Sequence, residues 1–125
     1  MPIDASLPYD DSNVFARILR GELPAKKVHE SEHSLAFHDL NPLAPIHVLV
    51  IPKGAYVSWD DFSAKASDAE IGDFVRAVGD VARMTGASAQ GYRLLSNCGK
   101  RGGQEVPHLH VHLFGGAPLG PMLTR

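Results

Sequence analysis

Residues 108–112 read His108-Leu109-His110-Val111-His112, followed by Leu113 and Phe114. Strict polar–apolar alternation has a period of two, which a β-strand satisfies and an α-helix does not. In an extended segment the three imidazoles share one face, and Leu109, Val111 and Leu113 share the other. That apolar face needs a core, so the strand must sit in a sheet with a packed layer on one side. The chain holds seven histidines, and three of them lie on this one face. Imidazole acts as acid, base, nucleophile or ligand near neutral pH, so the same five residues mark the first candidate site.

Length and composition restrict the rest. At 125 residues one domain is expected over residues 12–125, large enough for a real core. Residues 1–11, with two prolines and three aspartates, are expected to form a flexible tail. The 44% hydrophobic and 21% charged content fits a water-soluble globular protein. A formal net charge of −2 offers no electrostatic footprint for long nucleic acid. No apolar run approaches the ~20 residues that span a bilayer, and the start lacks the basic and apolar regions of a signal peptide. The single cysteine, Cys98, excludes an internal disulfide and fits a reducing, cytoplasmic setting. Its neighbours supply no base, so it is read as incidental.

Hydrophobic spacing predicts a short helix to about Arg20, capped by Ser12 or Asn13, with Val14, Phe15, Ile18 and Leu19 as its stripe and Gly21 as its stop. Lys27–Ser31 and Leu35–His38 read as a hairpin around a polar turn. Asn41-Pro42-Leu43-Ala44-Pro45 is a loop, because its prolines remove donors and restrict their neighbours. His47-Val48-Leu49-Val50-Ile51 reads as a strand buried on both faces. Ile71, Phe74, Val75, Val78, Val81 and Ala82 predict a long helix over Asp68–Met84, ended by Gly86. Tyr92–Ser96 and His108–Phe114 are the last two strands. Between them, Asn97–Gln104 carries three glycines and two cations, and its backbone donors can approach an anion closely. This order argues for an α+β fold with a largely antiparallel sheet.

Three uses of the histidine face compete. Surface exposure conflicts with the core-type residues between the histidines. Zinc needs nitrogens about 2.0–2.1 Å from the ion, but His108 and His112 lie ~13 Å apart along a strand. A metal site would therefore use two neighbours of the row plus His47 or His38. Nucleophilic catalysis uses the whole constellation. Neutral imidazole attacks phosphorus, a flanking imidazole donates to a phosphate oxygen, and the glycine-rich loop stabilises developing charge. That use requires neither metal nor cofactor.

At this point the sequence resembles the histidine triad (HIT) superfamily, and within it the Hint branch. The likeness rests on His108-Leu109-His110-Val111-His112-Leu113-Phe114 with Gly103-Gln104 before and Gly115-Gly116 after. It extends to Phe15–Lys26, Ala36-Phe37-His38-Asp39 and Pro45–Lys53, and covers roughly residues 12–116. The resemblance implies the HIT fold: a five-stranded, mostly antiparallel sheet with two helices. It implies a homodimer with a continuous ten-stranded sheet. It implies hydrolysis of purine nucleoside 5′-phosphoramidates through a nucleotidyl-histidine. By position, His110 is then the nucleophile, His112 contacts the phosphate, His108 supports the site and His47 is a fourth histidine nearby. Asn97, Gly103 and Gln104 fall at the phosphate, and Asp39 accepts from the ribose hydroxyls. Val14, Phe15, Ile18, Phe37, His38 and Leu40 line the base and sugar pocket.

Each assignment has a plainer counterpart. Phe15, Ile18 and Phe37 are also core residues of any fold, Asp39 is also a turn former, Asn97 a loop former, and His38 and His47 structural histidines. His29 and His33 read as surface residues. Two departures stand out. Glu105, counted by position among the substrate-binding residues, takes the place of a serine in eukaryotic relatives, and the tail Ala117–Arg125 lacks their tryptophan-containing ending. Competing functions are a dinucleoside polyphosphate hydrolase, against which Gly115-Gly116 argues, a nucleotide-binding scaffold with weak catalysis, and a zinc hydrolase.

Overall fold

The computed structural model describes residues 2–123. Ser67 and Glu70 form a reciprocal capping box, in which the Ser67 hydroxyl accepts from Glu70 N–H and the Glu70 carboxylate accepts from Ser67 N–H. It starts helix α3, Asp68–Met84, with the bounds that the apolar period predicts. A second box, Ser58 with Asp61, starts helix α2, Trp59–Lys65, which periodicity misses. Seven residues with one buried side chain, Phe62, are too short to show a stripe. Asn13 caps helix α1, Val14–Leu19, by accepting from Ala16 N–H.

Five strands form one antiparallel sheet: β1 Lys27–Glu30, β2 Ser34–His38, β3 Ile46–Pro52, β4 Arg93–Leu95 and β5 Val111–Gly115, in the order β1-β2-β3-β5-β4. The sheet is covered on both sides, and strand alternation sorts the residues. Ala36, Val48, Val50, Leu109, Val111 and Leu113 join Phe62, Phe74, Val78 and Val81 under α2 and α3. Leu35, Phe37, Leu49 and Ile51 face the other way and pack with Phe15 of α1. Two covered faces explain why β3 is apolar along its length despite antiparallel neighbours. Asp73 of α3 ties this layer to the β1–β2 hairpin, accepting from Ser31 Oγ at 2.7 Å, Ser34 Oγ at 2.8 Å and His33 N–H at 3.2 Å.

One expectation needs correction. The last strand begins at Val111, not His108. Its ladder with β3 pairs Val50 with Val111, so the next steps fall on Ile51 and Pro52. Pro52 has no N–H to give, and residues 108–110 leave the ladder there. They are held instead by Leu109 N–H donating to Tyr56 O at 2.9 Å and Ser96 Oγ donating to His110 O at 2.9 Å. The N-terminal segment makes two contacts with the domain: Ile3 N–H donates to Gln104 O at 2.7 Å, and Tyr9 reaches His108 at 2.6 Å. At the other end, Arg93 holds Gly120 O at 2.8 Å. Met1 of the expected tail, and Thr124 and Arg125 of the divergent ending, lie outside the described residues.

Candidate active site

The β3–β5 register places His47 opposite Phe114 and Leu49 opposite His112. His47 and His112 are therefore diagonal neighbours on one face, within reach of each other. His47 Nε2 lies 3.0 Å from His112 Nδ1. The rings of His110 and His112 meet edge to face at 5.1 Å, and Phe15 of α1 packs on His110 at 5.0 Å and on His108 at 6.3 Å. Four of the seven histidines converge here. His29 stands apart at 3.9 Å from Asp80, and His33 at 3.8 Å from Glu32.

Burial keeps these rings neutral. Desolvation pushes His108 down from 6.5 to about 4, against the opposing pull of the Pro52 carbonyl. It pushes His112 down to about 4, with His110 and His47 adding to the effect. His110 and His47 are also lowered, in both cases chiefly by burial, with the Asp39 carboxylate opposing. A neutral imidazole has one N–H and one bare nitrogen, and fixed backbone groups decide which is which.

The assignment runs through all four rings. His110 Nδ1 lies 2.8 Å from His108 O. A carbonyl only accepts, so Nδ1 bears the proton and Nε2 is bare. His108 Nε2 lies 2.8 Å from Pro52 O, so its Nε2 bears the proton and Nδ1 is bare. Leu43 N–H donates to His47 Nδ1 at 3.1 Å, so His47 carries its proton on Nε2 and gives it to His112 Nδ1. His112 is left with Nε2–H. Among the described residues, His110 Nε2 and His112 Nε2 have no protein partner, yet no buried side-chain nitrogen lacks one. Both atoms therefore open to solvent, one as a lone pair and one as a donor. Adjacent nucleophile and donor form a site able to attack an electrophile and hold its charged oxygen.

Asp39 stands at this mouth, with Oδ1 accepting from Asn41 N–H at 2.8 Å and Oδ2 at 3.5 Å from His47 Nε2. Asp39, His47 and His112 lie close enough to share a cation. The tautomers oppose it. Leu43 N–H occupies His47 Nδ1, so a cation at Nε2 would displace the ring's one proton and leave an imidazolate. The geometry suits a proton between the two rings. The alternative pairing of His108 with His110 is opposed by Tyr9, whose hydroxyl lies 2.6 Å from His108 Nδ1, the one bare nitrogen of that ring.

The remaining expected residues divide. Phe15 and Phe37 are buried and meet edge to face at 5.6 Å, so they are core and site wall at once. Ile18 packs half-buried against the same cluster. Val14, His38 and Leu40 are exposed. Asn97 is half-buried and Glu105 exposed beside the glycine-rich loop. Gln104, expected at the phosphate, lies beneath the loop that ends at it. Its side chain is 1% exposed and fully committed, accepting from Gly99 N–H and donating to Val57 O and Val106 O. It holds the loop in shape from beneath. That loop needs its glycines: a Cβ at Gly102 would sit 2.6 Å from Cys98 O, and Gly103 has φ +77°, a conformation other residues adopt at a cost. Sequence reasoning missed Tyr9, Leu43 N–H and Pro52 O. The last two are backbone groups, which leave no residue-type signal.

Comparison with known proteins places the chain in a family. The HIT domain model matches residues 20–119. A HIT-like protein of Azospirillum brasilense is 68% identical over 117 residues, covering 94% of this chain and 96% of that protein. The purine nucleoside phosphoramidase of Escherichia coli K12 is 40% identical over 115 residues, 92% of this chain and 96% of the enzyme. Among solved structures, a histidine triad protein from Clostridium difficile superposes with a TM-score of 0.80 at 38% identity, covering 91% of this chain and 98% of that one. A HIT family hydrolase from Clostridium thermocellum gives 0.79 at 37% identity, covering 92% and 99%. With the HIT domain model matched over residues 20–119 and a relative 68% identical along 94% of its length, this chain belongs to the HIT family.

Proposed function

We propose that the chain is a purine nucleoside phosphoramidase. The observation that carries this reading is the bare, solvent-open Nε2 of His110, fixed by the His108 carbonyl, next to a second ring that offers an N–H. In the proposed first step the His110 Nε2 lone pair forms a bond to phosphorus and the P–N bond breaks. The amine leaves with that electron pair and takes a proton from solvent. His110 is then an N-phosphorylated imidazolium whose Nδ1–H still donates to His108 O, which stabilises the new charge. His112 Nε2–H donates to a non-bridging oxygen, and the 97–104 loop supplies further backbone donors. In the second step water attacks phosphorus, its proton passes to solvent, and the P–N bond to His110 breaks. The products are the nucleoside monophosphate, the amine and the original lone pair. Asp39 accepts from the ribose diol, a bidentate fit for a carboxylate, and Phe15 with Ile18 forms an apolar wall for the base. The phosphoramidase relative in Escherichia coli supports the choice of leaving group.

The direct test is mass spectrometry of protein quenched during turnover of adenosine 5′-phosphoramidate. A nucleotidyl adduct on His110 is expected, with faster turnover than on a diadenosine polyphosphate. Turnover without any adduct, or preference for the polyphosphate, rejects the reading.

We also propose a homodimer. β4 is an unpaired edge of the sheet, an arrangement that invites strand pairing. Beside it lie Trp59, Val75, Tyr92 and Leu94, all 40% exposed or more. A cleft of about 500 Å³ runs among Trp59, Phe74, Val75, Val78 and Leu94. Sedimentation should give a two-chain mass, and Leu94→Lys should shift it toward one chain. No helix among the described residues is long and apolar enough to cross a membrane.

A further inference from the structure

We propose that Tyr9 is a positioning residue for this reaction: its hydroxyl locks His108, and so fixes the carbonyl that keeps the His110 proton on Nδ1. The inference rests on the nucleophilic role of His110 given above and adds a residue from the N-terminal segment to it.

The argument starts at Pro52 O. That carbonyl forces His108 to carry its proton on Nε2, so His108 Nδ1 can only accept. Tyr9 Oη lies 2.6 Å from it and is its donor among the described residues. The His108 residue is 0% exposed, so no bulk water replaces that donor. Without Tyr9 the Nδ1 lone pair is a buried orphan, and the ring gains by turning or by moving toward solvent. Ring and carbonyl belong to one residue. Close packing around a residue that is 0% exposed couples the two, so displacement of the ring carries to the carbonyl that sits 2.8 Å from His110 Nδ1. When that hydrogen bond loosens, the His110 proton is free to sit on Nε2, and the nucleophilic lone pair is then absent.

The segment is built to deliver this hydroxyl. Ile3 N–H is tied to Gln104 O, and Asn13 caps α1, so Tyr9 hangs between two fixed points. Its ring meets the His108 ring edge to face at 5.6 Å. Burial raises the Tyr9 hydroxyl above its ordinary 10.0, so it remains a donor at neutral pH. Ile3 also anchors the backbone of Gln104, which links the same segment to the loop beside the histidines.

The test is Tyr9→Phe in the full chain, which removes one oxygen and keeps the ring contact. Long-range proton–nitrogen NMR of the histidine rings should show His108 Nδ1 as a hydrogen-bonded lone pair in the wild type. In Y9F that resonance should move to the position of a free lone pair, and the His110 Nδ1 proton should exchange faster with water. With adenosine 5′-phosphoramidate, Y9F should lower kcat about fivefold, the value of one net hydrogen bond, with KM within about twofold. Unchanged His108 and His110 signals overturn the proposal, and so does an unchanged kcat in an active enzyme. A wild type without phosphoramidate turnover rejects the proposed activity alone, and the NMR comparison then decides the role of Tyr9. If Y9F folds poorly, Tyr9→Trp retains ring bulk with a displaced donor, and the same NMR shift at His108 is required of it.

Discussion

His110→Ala should abolish phosphoramidate turnover, by about 10⁴-fold or more, while nucleotide monophosphate affinity stays within a few-fold of wild type. A nucleophile that forms the covalent intermediate has no substitute in its own site, and loss of such a group costs this order of rate in other covalent enzymes. Binding should survive because the groups expected to hold the nucleotide are different ones: Asp39 for the diol, Phe15 and Ile18 for the base, His112 Nε2–H and the 97–104 backbone for the phosphate. The mutation also deletes the donor to His108 O, so the measurement pairs calorimetric binding with turnover under conditions where circular dichroism matches wild type. The quenched adduct should vanish with activity. Turnover within about tenfold of wild type would place the covalent chemistry elsewhere.

Acid should unfold the protein in a window that belongs to the histidines. In the unfolded chain each imidazole titrates near its ordinary 6.5, whereas in the folded chain His108 and His112 titrate at about 4. Between these values the unfolded state binds more protons, so stability must fall as pH falls. Stability is fully present above pH 6.5 and is lost progressively down to about pH 4. For His108, wholly buried, a drop from 6.5 to about 4 corresponds to about 3 kcal/mol at full extent. Ordinary carboxylates titrate near 3.9–4.3, so they do not contribute to the upper half of this window. Urea midpoints from pH 7.5 to 4.5 should decline, and His108→Gln should flatten that decline. A stability constant across the window would mean that these rings are not held neutral by burial. The same depression lets the nucleophile work in mildly acidic solution, so the acid limb of kcat/KM should lie below pH 6.5.

Much of the molecule is legible in residue order because local physics dictates it. The 3.6-residue spacing and the Ser67–Glu70 cap define α3 without help from the rest of the chain. The period-two row assigns His110 and His112 to one face and Leu109, Val111 and Leu113 to the other. Short connections pair β1, β2 and β3 in turn, and the HIT family pattern follows from motifs in order. The fold lies within reach for that reason: each of its elements carries its own signal.

What remained for three dimensions was the state of each ring. Sequence supplies three histidines in a row, but the nitrogen that holds each proton is set by Pro52 O, Leu43 N–H and the His108 carbonyl. These are backbone atoms distributed over several segments, and any residue type would present them. Tyr9 belongs to the same class. It stands 99 positions from its partner, in a segment whose composition suggests only a loose tail, and its role exists only where the chain returns to lay it on His108. Residue identity determined that this chain carries imidazole chemistry on a sheet. Tertiary contact alone decided which imidazole has a lone pair to use, because a tautomer is chosen by hydrogen-bond partners, and partners are a property of folded space.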